Sequence, residues 1–518
     1  MNKSKFRFLG LASLTLLVGL APLGCGSDDD DDSSPGTGGK NSSAGTAGKK
    51  ATGGTAGKSN VGGSSNVAGD DSGGTAAGGA GGEGGAVTAP KARLRVVHAS
   101  PSAPSVDIYP KGSATAAVEA VAYGEASDFI EVDAGTIAFD LRAAGADADD
   151  EPAFTTQDVE LDAGADYTLV AAGDFANADD EDVGFRVLAL EHDFEAPAAG
   201  TAVARVVHAA SAWDTVDLDV VATDGVDIPA LARFGSESNV VIPAATALPI
   251  AFQTEADGLL SQLTVPKLTA GSELFVIATG NPGFPFRAPA NGFALLVVDQ
   301  DGKVSWIKEN PWIHLAHASD VSTVDVYETT HTAAAAKLAD NLAAESMGAF
   351  QLPPSAAGVT LKAVADDAAS GAATALATGA TSTLELGEHY LSYIASNTIQ
   401  TVHEQFDLEQ PTKVMLRGVH ASTAIAATVD IGAVVSNALS NVLIDSVAPT
   451  ESSAEAGIAT NPGNIILGAS AHSTTALLAQ KTLSGTTAPI AGERDFVLLV
   501  GAGSLWIVDT SVAGWSLR

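Results

Sequence analysis

The sequence predicts an all-β protein that contains four tandem antiparallel β-sandwich domains. Three observations lead to this prediction. A motif built around His-Ala, followed shortly by Val-Asp, occurs four times. Short apolar segments alternate with turn residues such as Pro, Gly and Asp-Ala-Gly, and amphipathic helical stretches of useful length are not found. Seven or eight such strands in a stretch of roughly a hundred residues are typical of immunoglobulin-like sandwiches.

The motif sets the domain organisation. Its positions are His98 with Asp107, His208 with Asp217, His317 with Asp325, and His420 with Asp430. A period of roughly a hundred residues is that of a whole domain, not of a solenoid repeat. The predicted domains are repeat 1 (91–199), repeat 2 (200–309), repeat 3 (310–410) and repeat 4 (411–518), of which repeat 4 diverges most. Each is expected to have its own core and to fold alone.

Residues 1–24 are predicted to be a lipoprotein signal peptide. Lys3, Lys5 and Arg7 precede an apolar run that ends near residue 21, as in secretory signals, and this run is short for a transmembrane helix. Cys25 is the only cysteine, and Leu23-Gly24-Cys25 resembles a bacterial lipobox. An ordinary cleaved signal with an incidental cysteine is the alternative. The pattern favours lipidation of Cys25 and anchoring in a membrane, and the lack of an aspartate directly after the cysteine favours the outer membrane.

Residues 25–90 are predicted to be a disordered linker. The segment consists mainly of Gly, Ser, Ala and Thr and cannot bury a core. Most of the net charge of −36 lies after it, in the predicted folded part. Such an acidic surface repels nucleic acid, so nucleic-acid partners are excluded.

Three blocks in repeat 1 carry a family resemblance. The stretches ARLRVVHASPSAPSVDIYPKG, VAYGEASDFIEVDAG and LDAGADYTLVAAGD resemble the domain-of-unknown-function family 4397 (DUF4397). Repeat 2 carries most of these blocks, and repeats 3 and 4 carry mainly the first. The resemblance implies a bacterial secreted or envelope protein with tandem domains. It implies no activity.

A recurring His and Asp suggest a metal or catalytic site, but strand alternation predicts a structural role. His98 shares a strand face with Leu94 and Val96, so it should point into the core, as should its three counterparts. The aspartates alternate with aliphatic residues and are therefore expected to face outward. There they could pair across the sheet with Arg95, Arg205 and Arg417. These eight motif positions are predicted to be structural, with no metal and no cofactor.

Two acidic loops in repeat 1 are the candidate Ca²⁺ sites. They run from Asp147 to Glu151 and from Asp179 to Asp182, and clustered carboxylates suit this hard cation. Neither loop has the spacing of an established calcium motif, and the alternative is a pair of solvated loops.

The leading functional hypothesis is a non-enzymatic cell-envelope lipoprotein that displays its modules for adhesion, spacing or matrix interaction with an extracellular glycan or protein ligand. Signatures of a catalytic serine, a zinc protease or a Cys/His cluster are not found. A carbohydrate- or peptide-binding module array is the alternative and would need an exposed aromatic platform. Its tryptophan candidates are Trp213, Trp306, Trp312, Trp506 and Trp515. A hydrolase with degenerate domains is the third hypothesis.

Overall fold

The structure is a computed structural model that describes residues 89–518, apart from 148, 222–225, 255–257, 320–322, 331–335, 367–372, 455 and 513–514. The predicted signal peptide, Cys25 and nearly all of the predicted linker lie outside the described residues.

The described chain is almost entirely β, as predicted. The strands of repeat 1 are β1 (Lys91–His98), β2 (Val106–Pro110), β3 (Val118–Val121), β4 (Ile130–Asp133), β5 (Gly135–Ile137), β6 (Phe139–Ala143), β7 (Phe154–Thr155), β8 (Val159–Leu161), β9 (Asp166–Ala172) and β10 (Arg186–Glu191). Those of repeat 2 are β11 (Thr201–His208), β12 (Thr215–Val220), β13 (Ile228–Ala232), β14 (Ser236–Pro243), β15 (Leu248–Thr254), β16 (Gly258–Val265), β17 (Glu273–Thr279), β18 (Ala294–Asp299) and β19 (Val304–Lys308).

The second half of the chain repeats this arrangement. The strands of repeat 3 are β20 (Trp312–His317), β21 (Val324–Glu328), β22 (Ala336–Leu342), β23 (Met347–Gln351), β24 (Thr360–Ala365), β25 (Ala377–Ala380), β26 (His389–Ala395) and β27 (Thr398–His403). Those of repeat 4 are β28 (Val414–His420), β29 (Val429–Val435), β30 (Ala438–Val447), β31 (Ile458–Thr460), β32 (Ile465–Ala471), β33 (Leu477–Leu483), β34 (Arg494–Val500), β35 (Ser504–Asp509) and β36 (Ser516–Leu517). Two single 3₁₀ turns, Phe175–Asn177 and Gly485–Thr487, are also present.

Two sheets face each other in repeats 1, 2 and 4. In repeat 1 their strand orders are β10-β9-β1-β4 and β3-β2-β6-β7, with β5-β8 as an additional pair. The orders are β14-β11-β17-β18-β19 and β13-β12-β15-β16 in repeat 2, and β31-β28-β34-β35-β36 and β30-β29-β32-β33 in repeat 4. In repeat 3 the same two groups of strands join through β25 and β27 into one eight-stranded sheet.

The sheets are not purely antiparallel, which corrects the prediction in one respect. The first strand of each repeat runs parallel to a late strand: β1 to β9, β11 to β17, β20 to β26 and β28 to β34. A parallel pair needs a long connection between its strands, and here the whole opposite sheet supplies it. In every repeat the motif histidine therefore lies at the end of a strand that has neighbours on both sides.

Each predicted repeat contains an apolar core of its own. In repeat 1 the core includes Leu94, Val96, Ile108, Leu141 and Leu169, contributed by both sheets. Corresponding clusters lie within repeats 2, 3 and 4. Aliphatic side chains dominate them, in line with the aromatic content of 5%.

Two further apolar clusters span neighbouring repeats. The first, which we call the 1–2 interface, contains Val97, Ala99, Val170, Ala172, Val207, Ala209, Phe275, Ile277, Leu296 and Val298. The second, the 3–4 interface, contains Ala316, Ala318, Leu391, Tyr393, Ala395, Phe406, Met415, Val419, Ala421, Phe496, Leu498, Val500, Val508 and Trp515. Both interfaces join the same sheet of one repeat to the same sheet of the next. The strands β1, β11, β20 and β28 are consequently buried on both faces, and the repeats stack as two pairs.

Among the described residues, no helix is long and apolar enough to cross a membrane.

Candidate functional site

The four motif histidines are buried, as strand alternation predicted. His98, His317 and His420 have 0% exposed surface and His208 has 1%. The Nε2 atom of His98 lies 2.9 Å from the Pro104 carbonyl oxygen, and the Ser100 backbone N–H donates to Nδ1 over 3.3 Å. His420 repeats the first contact, with 3.1 Å between Nε2 and the Ala427 carbonyl oxygen. His98 and His420 thus tie the loop after the first strand back to the strand end.

Burial also keeps the imidazoles of His98, His208 and His420 neutral. Loss of solvation lowers the pKa of His98 and of His420, and it lowers the pKa of His208 to about 4. An imidazole that is neutral at physiological pH can donate through one nitrogen and accept through the other. His98 does both, so its hydrogen-bonding capacity is used by the fold.

The recurring aspartates bind the backbone of the neighbouring strand. The Oδ1 atom of each aspartate accepts a hydrogen bond from a backbone N–H group. The donors are Ala120 for Asp107 (2.7 Å), Ala230 for Asp217 (2.7 Å), Asn341 for Asp325 (3.0 Å) and Ser446 for Asp430 (2.9 Å). All four donors have a positive φ of 52–59° although none is glycine. In each repeat the strand register shifts opposite the aspartate. The aspartate therefore stabilises a β-bulge. The bulge needs this support because L-residues do not favour a positive φ by themselves.

The prediction that these aspartates face solvent is wrong for three of the four. Asp107, Asp325 and Asp430 are buried, whereas Asp217 is half-buried. They lie on the strand face opposite the aliphatic residues, as alternation requires, but the bulge and a following hairpin cover them. In repeat 1 the Gly145 N–H from that hairpin donates to the second oxygen of Asp107 over 2.9 Å. Strand alternation cannot reveal this cover because the cover comes from other segments.

The predicted pairing of these aspartates with Arg95, Arg205 and Arg417 is also wrong. Arg95 donates to the Asp299 carbonyl oxygen over 2.7 Å and to Thr168 Oγ1 over 3.0 Å. Arg205 pairs with Asp193, and Arg417 donates to the His403 carbonyl oxygen. These strand positions face a neighbouring repeat instead of solvent, so the arginines belong to the interfaces between repeats.

Arg95 and Arg417 have similar surroundings in the two interfaces. The Arg95 guanidinium lies 5.1 Å from the ring centre of Phe129 and 5.5 Å from that of Phe275. The Arg417 guanidinium lies 5.2 Å from the ring centre of Phe496. Burial lowers the pKa of Arg95 to about 10, so it is still charged at neutral pH. In each pair of repeats a buried arginine thus packs against aromatic rings.

A polar junction connects repeats 2 and 3. Glu309 is buried, and the Ser261 hydroxyl donates to its Oε1 over 2.6 Å. Gln351 of repeat 3 accepts from the Gln262 N–H over 2.6 Å and donates to the Asn310 carbonyl oxygen over 3.0 Å. Burial raises the pKa of Glu309 to about 8. The junction is therefore built around a carboxyl group that holds its proton at neutral pH.

The two acidic loops of repeat 1 have local backbone partners. Asp180 Oδ1 accepts from the N–H groups of Asp182 (2.8 Å) and Val183 (3.1 Å), and Asp150 accepts from Asp147 (3.1 Å). Among the described residues, the groups of three candidate metal ligands lie in repeat 4 and not in these loops. Calcium binding by the loops stays a prediction.

One group in repeat 4 is a carboxylate cluster that the sequence did not indicate. Glu493, Asp495 and Asp509 are buried together, and Asp495 lies opposite Asp509 across β34 and β35. The guanidinium of Arg518 contacts all three, 2.8 Å from Asp495 Oδ1 and 3.7 Å from Asp509 Oδ2. Burial, followed by the neighbouring Glu493, raises the pKa of Asp495 to about 8. The Arg518 guanidinium thus already occupies the position between the carboxylates where a metal ion would lie. The cross-strand register of β34 and β35 was the signal that could have found the cluster.

The tryptophans do not form an exposed platform. Trp213 packs against the repeat 2 core, and its ring centre lies 4.8 Å from that of Phe293. The ring centre of Trp306 in repeat 2 lies 5.5 Å from that of Tyr123 in repeat 1. Trp515 stacks on His314 at 3.8 Å. All five are buried or half-buried. The aromatic surface that a carbohydrate-binding array would need is therefore not supplied by these residues.

Within the described residues, the side chains around the recurring His and Asp do not form a recognisable catalytic arrangement. Ser100 and Ser422 follow the motif histidines, but their hydroxyls donate to the carbonyl oxygens of Gly173 and Gly501. A small cavity in the repeat 1 core is lined by apolar side chains such as Val96, Phe139 and Leu169. A nucleophile beside a base in a polar cleft, the usual arrangement for covalent catalysis, is not formed by these motif residues.

Comparison with known proteins gives a family match to part of the chain and weak similarity to solved structures. No curated protein matches the sequence. A solved structure of a candidate cell adhesion protein from Bacteroides ovatus ATCC 8483 is similar over 40% of this chain and 96% of its own, with 13% sequence identity and a TM-score of 0.18. A similarity this low does not indicate a function.

The family match covers the first motif and reaches the second. It extends over residues 92–219 and therefore includes His98, Asp107, His208 and Asp217. Because it crosses the predicted boundary at residue 199, it leaves the domain boundaries as predictions. Residues 92–219 of this chain match the DUF4397 family, a domain of unknown function, as the motifs of repeat 1 indicated.

Proposed function

We propose that this chain is a non-enzymatic lipoprotein of the bacterial cell envelope, anchored at Cys25, that displays its β repeats for adhesion, spacing or matrix interaction. One observation carries the non-enzymatic part of this proposal. Polar groups of the recurring motif bind the backbone: His98 and His420 each fix a loop, and all four aspartates hold a bulge. What the repeats share is therefore a means of building the same fold.

The paired stacking supports a spacing role. The 1–2 and 3–4 interfaces are apolar, and Arg287 of repeat 2 pairs with Glu388 of repeat 3 over 2.7 Å. Glu404 of repeat 3 in turn accepts from Thr510 of repeat 4 over 3.2 Å. Such contacts resist bending between neighbouring repeats, which suits a rigid element held away from a surface by the predicted linker.

Anchoring is tested with Cys25→Ser in the native host. Lipidation on the cysteine sulfur requires the thiol, so the variant should lose palmitate labelling and leave the membrane fraction. A membrane-bound population of unchanged size would contradict anchoring at this residue.

Adhesion is tested with the same pair of strains. Cells that carry the wild-type chain should attach to matrix-coated or glycan-coated surfaces more strongly than cells with Cys25→Ser, which make the same folded repeats without a tether. Equal attachment of the two strains, together with confirmed loss of anchoring, would contradict the adhesion role and leave spacing as the function.

A further inference from the structure

A His-Asp-Asp group lies beside the recurring aspartate of repeat 4. Nδ1 of His472 is 2.8 Å from Asp430 Oδ1 and 3.5 Å from Asp445 Oδ1. The three residues come from different elements: Asp430 from β29, Asp445 from β30, and His472 from the turn after β32. Asp430 is buried, whereas Asp445 and His472 are exposed. The group is thus open to solvent on one side and fixed by the sheet on the other.

Repeat 3 shows what the corresponding position accepts. There the Lys337 ammonium bridges Asp325 Oδ2 at 2.7 Å and Asp340 Oδ1 at 2.5 Å. Asp340 and Asp445 correspond, because each directly precedes the positive-φ residue that donates to the recurring aspartate. In repeat 3 the chain therefore supplies a cation between these two carboxylates.

Repeat 4 keeps the two carboxylates but not the lysine. Lys337 pairs with Tyr327, and Val442 pairs with Gly432 at the corresponding register. A valine cannot neutralise the carboxylates, so the pair has lost its built-in cation. In its place His472 brings an imidazole nitrogen, a metal-binding group, to the same point.

We propose that Asp430, Asp445 and His472 form a binding site for a divalent transition-metal ion of the Zn²⁺ type. One imidazole nitrogen and two carboxylate oxygens are ligands that Zn²⁺ accepts, with solvent in the remaining position, whereas Ca²⁺ and Mg²⁺ prefer oxygen alone. The 3.5 Å between His472 Nδ1 and Asp445 Oδ1 matches the spacing of ligand atoms around a tetrahedral ion with bonds of roughly 2.0–2.2 Å. The 2.8 Å between His472 Nδ1 and Asp430 Oδ1 is a hydrogen-bond distance, which lengthens when an ion replaces the proton. The Ser446 and Ser473 N–H groups hold the Asp430 carboxylate at 2.9 and 3.0 Å, the outer support that metal-ligating carboxylates usually have.

A proton competes for the same place. Its hydrogen bond with Asp430 raises the pKa of His472, so the imidazolium is the alternative cation between the carboxylates. Metal binding must displace this proton and therefore weakens as pH falls.

The test is a Zn²⁺ titration of the full chain by calorimetry in an excess of Mg²⁺, which occupies nonspecific acidic positions. The wild type should show a Zn²⁺ site that disappears in His472→Ala, with an affinity loss larger than the roughly 10–100-fold that removal of an outer-shell partner causes. His472 is exposed, so this variant should fold normally.

Two further variants sharpen the result. Val442→Lys restores the residue type of repeat 3 and should abolish the site without removing a ligand. Asp340→Asn is the control: it removes a negative charge from repeat 3, just as Val442→Lys adds a positive charge to repeat 4. Because Lys337 already bridges the carboxylates of repeat 3, Asp340→Asn should leave Zn²⁺ binding unchanged. Zn²⁺ binding that persists in both His472→Ala and Val442→Lys, or no binding in the wild type, would overturn the proposal and leave the proton as the cation.

Discussion

Replacing Asp107 by alanine should open the bulge on the neighbouring strand. The buried carboxylate accepts from the N–H groups of Ala120 at 2.7 Å and Gly145 at 2.9 Å, and both of these donor residues are exposed. Water can replace the carboxylate at exposed donors, so each lost hydrogen bond should cost about 0.5–1.5 kcal/mol, and the two together about 1–3 kcal/mol. Ala120 has a φ of 54°, and without its acceptor this left-handed conformation has no compensation.

Amide hydrogen exchange measures this effect at the two donors themselves. A loss of about 2 kcal/mol, the middle of this range, corresponds to a factor of about 30 in the opening equilibrium, so both amides should exchange roughly 30-fold faster in Asp107→Ala. Asp149→Ala is the control, because it removes an exposed carboxylate from the same repeat. If the Ala120 and Gly145 amides kept their protection in Asp107→Ala, the aspartate would not hold the bulge and the explanation of the recurring Val-Asp would be refuted.

Two further predictions concern buried titratable groups. His98→Ala should leave the Pro104 carbonyl and the Ser100 N–H unpaired and lower the melting temperature of repeat 1 by several degrees. EDTA should leave amide exchange around His98 in the wild type unchanged. Faster exchange there in EDTA would indicate that His98 binds a metal instead of having a structural role. Glu309 should make stability fall as pH rises, because its pKa of about 8 in the folded chain lies above the ordinary value of 4.5 and the folded state binds the additional proton between those values. The contribution of this proton to the free energy of unfolding is complete below about pH 4.5 and lost by about pH 8. Glu309→Gln should therefore flatten the pH dependence of the free energy of unfolding in this range. An unaltered pH profile would contradict a buried, protonated Glu309.

The fold class and the burial of the motif histidines could be predicted from the sequence because both follow from local alternation. His98 shares its strand face with Leu94 and Val96, and that face forms the repeat 1 core. The same rule places Asp107 on the opposite face, but it cannot show that the face is covered. The cover depends on a bulge at Ala120, and an alanine with positive φ has no sequence signature of the kind that glycine provides.

The contacts between repeats were missed for a different reason. Arg95 and Val97 look like outward-facing positions of an isolated sandwich, yet both pack against repeat 2. The adjacent apolar residues Val96 and Val97, one on each face of this strand, were the available signal, since strands buried on both faces are apolar on both. The group around His472 needed the register of three strands and could not be found from spacing along the chain.

The pairing of the repeats is tested most directly by comparing two fragments in analytical ultracentrifugation. In residues 89–309 the apolar face formed by Val97, Ala99, Val170 and Ala172 is covered by repeat 2, and in residues 89–199 it is exposed. Exposed apolar faces of this kind drive association. We expect 89–309 to be a stable monomer and 89–199 to self-associate or to bind a hydrophobic dye. A monomeric 89–199 that is as stable as the same repeat within 89–309 would contradict the paired arrangement and restore the prediction of four independent modules.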